Sequence, residues 1–127
     1  MVKNIMVVDD NPDLLSSVKY GLEDIDPEYK VSSAENGEKL FEILNTINNF
    51  DVILLDIMMP KMSGWEVYDR LKDDDNWNKI PVIFITARND KISKNAGSFL
   101  GEDFIEKPFE ITDLKNRIDK VLEKNKN

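Results

Sequence analysis

Short apolar runs alternate along the chain with stretches of helical periodicity. Ile5 to Val8, Tyr29 to Ser33, Val52 to Leu55, Val82 to Ile85 and Phe104 to Ile105 are the runs. The first, third and fourth lack polar interruption, as strands do when helices cover both faces of a parallel sheet. Between them, apolar residues recur at a spacing of three and four: Leu14, Val18, Leu22 and Ile25, then Leu40, Phe41 and Leu44, then Val67 and Leu71, and last Leu114, Ile118, Val121 and Leu122. That spacing puts each set on one face of a helix. Asn11-Pro12 supplies an N-cap followed by proline at the first helical position, and Asn36 can cap the second helix. The pattern is (βα)5.

Right-handed crossovers turn this pattern into a three-layer, doubly wound α/β domain, a five-stranded parallel sheet in the order 2-1-3-4-5 of flavodoxin-like folds. A chain of 127 residues fits one domain over 1–127, long enough to bury a single core. The fourth helix, over 89 to 100, has only Ile92, Ala96, Phe99 and Leu100 as apolar anchors and is interrupted by Asn95 and Gly97; it is predicted to be short. The polar tail 123–127 is predicted to fray. Trp65 and Trp77 are read as packing residues, and Met58-Met59 as either an exposed contact or gap filling.

Acids outnumber bases 25 to 17, a net charge of -8, so direct binding to the nucleic-acid backbone, which needs a basic face, is not expected. Asp73-Asp74-Asp75 reads as a solvated loop. No apolar stretch approaches the roughly 20 residues of a membrane span. Cysteine is absent, which suits a reducing compartment, and a cytoplasmic location is expected.

The chemistry gathers where strands end. Asp9 and Asp10 follow the first strand, Asp56 the third, Thr86 the fourth, and Lys107-Pro108 the fifth. In open parallel sheets the ligand crevice lies at those carboxyl ends. An acid pair, a single acid, a hydroxyl and a lysine there describe a divalent-cation and phosphoryl site with a carboxylate nucleophile.

Four motifs in this order, Val7-Val8-Asp9-Asp10-Asn11, Leu54-Leu55-Asp56-Ile57-Met58-Met59-Pro60 with Gly64, Ile85-Thr86-Ala87 and Phe104-Ile105-Glu106-Lys107-Pro108-Phe109, resemble the receiver domain of two-component response regulators over almost the whole chain. The resemblance implies that Asp56 accepts a phosphoryl group from a sensor histidine kinase or a phosphotransfer protein. It implies Mg²⁺ held by Asp10, Asp56 and the backbone carbonyl of Met58, with Asp9 acting through a water, a hard-oxygen set of the kind Mg²⁺ prefers. Lys107 then pairs with Asp56 at rest and with the phosphoryl group afterwards, Thr86 bonds the phosphoryl group, Phe104 turns inward on activation, and Lys107-Pro108 is cis. The face built from the fourth helix, fifth strand and last helix is expected to bind an unknown downstream protein, since no DNA-binding or catalytic output segment is attached.

Two enzyme or carrier classes fit less well. An FMN carrier needs a Ser/Thr/Gly-rich phosphate loop where this chain has Asp9-Asp10-Asn11-Pro12. A haloacid-dehalogenase-type phosphatase uses a second Asp two residues beyond its nucleophile as general acid, and here that position is Met58, so turnover as an enzyme is not expected. The remaining alternative is a receiver that binds partners without being phosphorylated.

Overall fold

Consecutive residues of a strand point to opposite faces, and here both faces are covered. The computed structural model describes residues 1–47, 49–87 and 103–124. Strands β1 (Lys3–Val8), β2 (Tyr29–Ala34), β3 (Val52–Asp56), β4 (Val82–Thr86) and β5 (Asp103–Glu106) form one parallel sheet in the order β2-β1-β3-β4-β5. Met6, Val8, Ile53, Leu55 and Phe84 pack beneath α2 (Gly37–Thr46) and α3 (Gly64–Lys72), against Leu40, Phe41, Leu44, Val67 and Leu71. Their neighbours Ile5, Val7, Leu54, Ile83 and Ile85 pack on the other face, against α1 (Pro12–Ile25) and the C-terminal helix (Ile111–Lys124) through Leu15, Val18, Leu22, Leu114 and Ile118. The uninterrupted apolar runs follow from this double burial.

The helix starts are built from side chains. The Asn11 carboxamide accepts from the Asp13 and Leu14 N–H groups with Pro12 at the first position, Asn36 accepts from Lys39, and Ser63 with Glu66 forms a reciprocal capping box on α3. These bonds satisfy donors that a helix end otherwise leaves open. Trp65 packs on Phe84 and Trp77 on Phe41, with ring centroids 4.9 Å and 5.4 Å apart, so both are packing residues. Of the methionine pair, Met59 is buried and Met58 exposed. Ile25 departs from its predicted place in the α1 stripe: it is 42% exposed. It lies in the last turn, where Asp26 already caps the helix, and the buried stripe runs instead through Leu15, Val18 and Leu22.

The edge strand β2 is covered from α1. Glu23 accepts from the outward Val31 N–H at 2.9 Å, Lys19 donates to the Val31 carbonyl at 3.0 Å, and the two side chains pair at 3.1 Å. At the amino end of the sheet, the Tyr29 hydroxyl bonds Asp119 of the C-terminal helix, and Lys115 bridges Asp119 at 2.6 Å and Asp26 at 3.8 Å. The predicted fourth helix and the tail beyond residue 124 lie outside the described residues.

Candidate functional site

Parallel pairing of β1 with β3 sets Val8 opposite Leu55, so the residues just beyond, Asp9 and Asp10, stand beside Asp56 at the end of β3. One carboxylate oxygen from each of Asp9, Asp10 and Asp56 lies within 4.8 Å of the others. Asp9 and Asp56 are buried, whereas Asp10 is exposed. Asp9 directly follows β1 and Asp10 lies in the bend beyond it, and only the first of the pair is buried. Asp9 is held by its Oδ1, which accepts from the Asn11 N–H at 2.9 Å, so the residue that caps α1 also fixes this carboxylate.

Lys107 enters from the end of β5, where its N–H donates to the Thr86 carbonyl at 2.8 Å. The Lys107–Pro108 peptide is cis. Its ammonium lies 3.0 Å from Asp9 Oδ2, an ion pair without the alignment of a hydrogen bond, and 3.6 Å from Asp56 Oδ1. The nearer partner of Lys107 is thus Asp9, whereas the resemblance paired it with Asp56 alone.

Burial and the Asp9 charge push the Asp56 carboxyl up to about 6, against the Lys107 ammonium and a Met58 N–H that favour its ionised form; Asp10 adds a smaller upward push. Burial works against the Lys107 ammonium, but Asp9 and Asp56 outweigh it and hold its pKa above the ordinary lysine range. Among the described residues one lysine therefore faces two buried acids, a balance that attracts further positive charge. Three carboxylates, one of them open to solvent, suit a hard cation that retains several waters.

Thr86, the last residue of β4, is fully buried, and among the described residues its hydroxyl has no hydrogen-bond partner. Such a group costs about 1–3 kcal/mol. Phe104 pairs in register with Phe84 and is partly buried against the α2/α3 side of the core. The Met58 side chain is 66% exposed beside the acids.

Two features of the β3–α3 loop were not anticipated. Lys61 has φ 69°, and the Met62 N–H donates to the Pro60 carbonyl across it at 2.8 Å. This is the rarer, strained form of γ-turn, of order 1–3 kcal/mol for a residue with a Cβ. Gly64 sits directly on the backbone of Asp56 and Ile57. Nothing in Met59-Pro60-Lys61-Met62 marks the positive φ in advance, since none of those residues favours it; Gly64 was visible only as part of a motif.

The response regulator receiver domain model matches residues 5–119. The chain belongs to the response regulator receiver family. The receiver is 38% identical over 119 residues to the transcriptional regulatory protein CrdR of Helicobacter pylori, covering 93% of this chain and 54% of that protein. It is 38% identical over 121 residues to the heme response regulator HssR of Staphylococcus epidermidis, covering 94% and 51%. A probable cyclic di-GMP phosphodiesterase of Vibrio cholerae is 37% identical over 115 residues, 90% of this chain but 25% of that protein. The receiver thus spans about half or less of these relatives. Among solved structures, a response regulator receiver domain from Clostridium thermocellum superposes with a TM-score of 0.86 at 26% identity, covering 98% of each chain. The chemotaxis protein CheY4 of Vibrio cholerae superposes at 0.84 and 24% identity, covering 95% of this chain and 99% of that one, a likeness of fold. The receiver is a signalling domain of two-component systems, of the kind that histidine kinases phosphorylate. Among the described residues no helix is long and apolar enough to cross a membrane.

Proposed function

We propose that the chain is a phosphorylation-activated switch in which Asp56 accepts a phosphoryl group from a sensor histidine kinase or a phosphotransfer protein. The observation that carries this is the convergence of Asp9, Asp10 and Asp56 within 4.8 Å, with Lys107 reaching both buried acids. Asp10, Asp56 and the Met58 carbonyl are the residues to hold Mg²⁺ directly, with Asp9 acting through water. When bound, that ion neutralises charge on the incoming phosphoryl group.

The Asp56 carboxylate attacks phosphorus in line. A new O–P bond forms as the P–N bond to the donor imidazole breaks, and the imidazole leaves with the electron pair. Lys107 supplies a positive charge to a phosphoryl oxygen, at a place where Asp56 now shares it with Asp9. The unpartnered Thr86 hydroxyl gains an acceptor in the new phosphoryl group. Its movement opens space for Phe104 to turn inward, biasing an equilibrium between two packings. The downstream protein then reads the face around β5 and the C-terminal helix. We place the protein in the cytoplasm, where its phosphodonors work.

Incubation with acetyl phosphate and Mg²⁺, followed by intact mass measurement, tests this reading. One added phosphoryl group is expected, absent with EDTA and absent in Asp56→Asn. Undiminished labelling of Asp56→Asn would move the acceptor elsewhere, and no labelling of wild type would leave a partner-binding module without phosphotransfer.

A further inference from the structure

A methyl group on Gly64 would run into the Asp56 carbonyl oxygen, and would lie 2.7 Å from Ile57 Cα and 3.1 Å from the Asp56 carbonyl carbon. All three are backbone atoms, which cannot swing aside as a side-chain tip can. The close approach is actively held, because the Gly64 N–H donates to the Ile57 carbonyl at 2.8 Å and the Ile57 N–H donates to the Ile85 carbonyl at 3.2 Å. The first residue of α3 is therefore stapled to the end of β3, and β3 is stapled to β4. Between the staples, residues 58–63 close through the strained turn at Lys61 and the Ser63–Glu66 capping box. The loop has no slack at either end.

We propose that Gly64 is a positioning residue for phosphotransfer: by bringing α3 into contact with the backbone at Asp56 and Ile57, it sets where the Asp56 carboxylate and the Met58 carbonyl stand relative to Asp9 and Asp10. This rests on Asp56 being the acceptor. Any side chain at position 64 must push the end of β3, and with it the acceptor, towards or away from Asp9, whose carboxylate the Asn11 N–H fixes independently. Glycine is required here for close backbone approach, not for a left-handed conformation.

Gly64→Ala separates this role from ordinary packing when it is compared with Gly21→Ala. Gly21 is also crowded, though less tightly and by a side chain, that of Ile111 at 2.8 Å, between α1 and the C-terminal helix. Three quantities are measured for each variant and for wild type: the urea midpoint in EDTA, the Mg²⁺ dissociation constant from the metal-dependent shift of that midpoint, and the labelling rate with acetyl phosphate at saturating Mg²⁺. Gly64→Ala is expected to label about 10²-fold more slowly, the penalty for misplacing a reacting group by about 1 Å, and to bind Mg²⁺ roughly tenfold more weakly. Gly21→Ala is expected to lower the urea midpoint while leaving the dissociation constant and labelling rate as in wild type. Ser63→Ala, which loosens the same junction and keeps Gly64, is expected to shift the Mg²⁺ constant in the same direction by a smaller factor, and it decides the question if Gly64→Ala does not fold. Wild-type metal affinity and rate in Gly64→Ala, or in Ser63→Ala where that variant decides, overturn the positioning role and leave the Asp56 assignment standing. A wild-type protein with neither Mg²⁺ shift nor label overturns that assignment and this inference with it.

Discussion

Asp56→Asn in metal-free buffer tests the electrostatics of the site without any phosphodonor. The carboxyl is raised from 3.8 to about 6 in the folded chain by burial and by Asp9. A shift of that size corresponds to about 3 kcal/mol between the protonated and ionised forms. Because the folded state binds this proton more tightly than the unfolded chain, ionisation destabilises the fold. The penalty is absent below the unfolded pKa, grows as pH rises from about 4 to about 6, and is complete above that window. Asparagine resembles the neutral acid in shape and carries no charge. The variant should therefore match wild type near pH 4 and exceed it by about 2–3 kcal/mol at pH 8, a rise of roughly 10 °C in melting temperature for a chain of this size. Thermal melts in EDTA across that pH range, with urea titrations at the two ends, give the comparison. Millimolar Mg²⁺ should then close the gap, since it binds the folded wild-type cluster and has no organised site in the unfolded chain. A variant less stable than wild type at pH 8 in EDTA, or an advantage that does not shrink on acidification, would show that Asp56 is not ionised under strain.

Asp10→Asn should change metal-free stability little, because Asp10 is exposed, yet should lose most of the stabilisation by Mg²⁺; melts with EDTA and with millimolar Mg²⁺ show both. Thr86→Val replaces an unpartnered buried hydroxyl with a methyl of similar volume and should be neutral or stabilising by about 1 kcal/mol, while abolishing the phosphorylation-dependent gain in partner binding; a urea midpoint well below wild type would mean that the hydroxyl is bonded at rest. Tyr29→Phe removes the hydroxyl bond to the Asp119 carboxylate and should cost about 1.5–3 kcal/mol, read in urea, with no effect on labelling at the other end of the sheet.

The strand order and the identity of the acid cluster were legible because both depend on coarse features. Apolar runs such as Val52 to Leu55 can be satisfied only by burial on two sides, and parallel strands deliver their terminal residues to one edge. What lay beyond the sequence depends on distances of an ångström or on geometry without a residue signature. Which of Asp9 and Asp10 turns inward is a matter of register. The preference of Lys107 for Asp9, at 3.0 Å against 3.6 Å, is finer than any motif expresses. Ile25 continued a correct periodicity into a turn where the helix was ending. The positive φ at Lys61 falls on a residue type that ordinarily avoids it.

The Glu23–Lys19 clasp on Val31 bears on how copies of this chain meet one another. β2 ends the sheet, and an uncovered edge is a template on which a second chain can zip, backbone to backbone, into an open-ended polymer. With the outward donor and acceptor of Val31 already engaged, a stray strand finds no rung there to begin on. The Val31 bond also holds the Glu23 carboxyl below its ordinary range, so the cover remains charged through mild acidification. It is released only as pH falls through that lowered pKa. In strong acid, then, the hazard for this fold is a ladder left open at its edge as well as a loosened core.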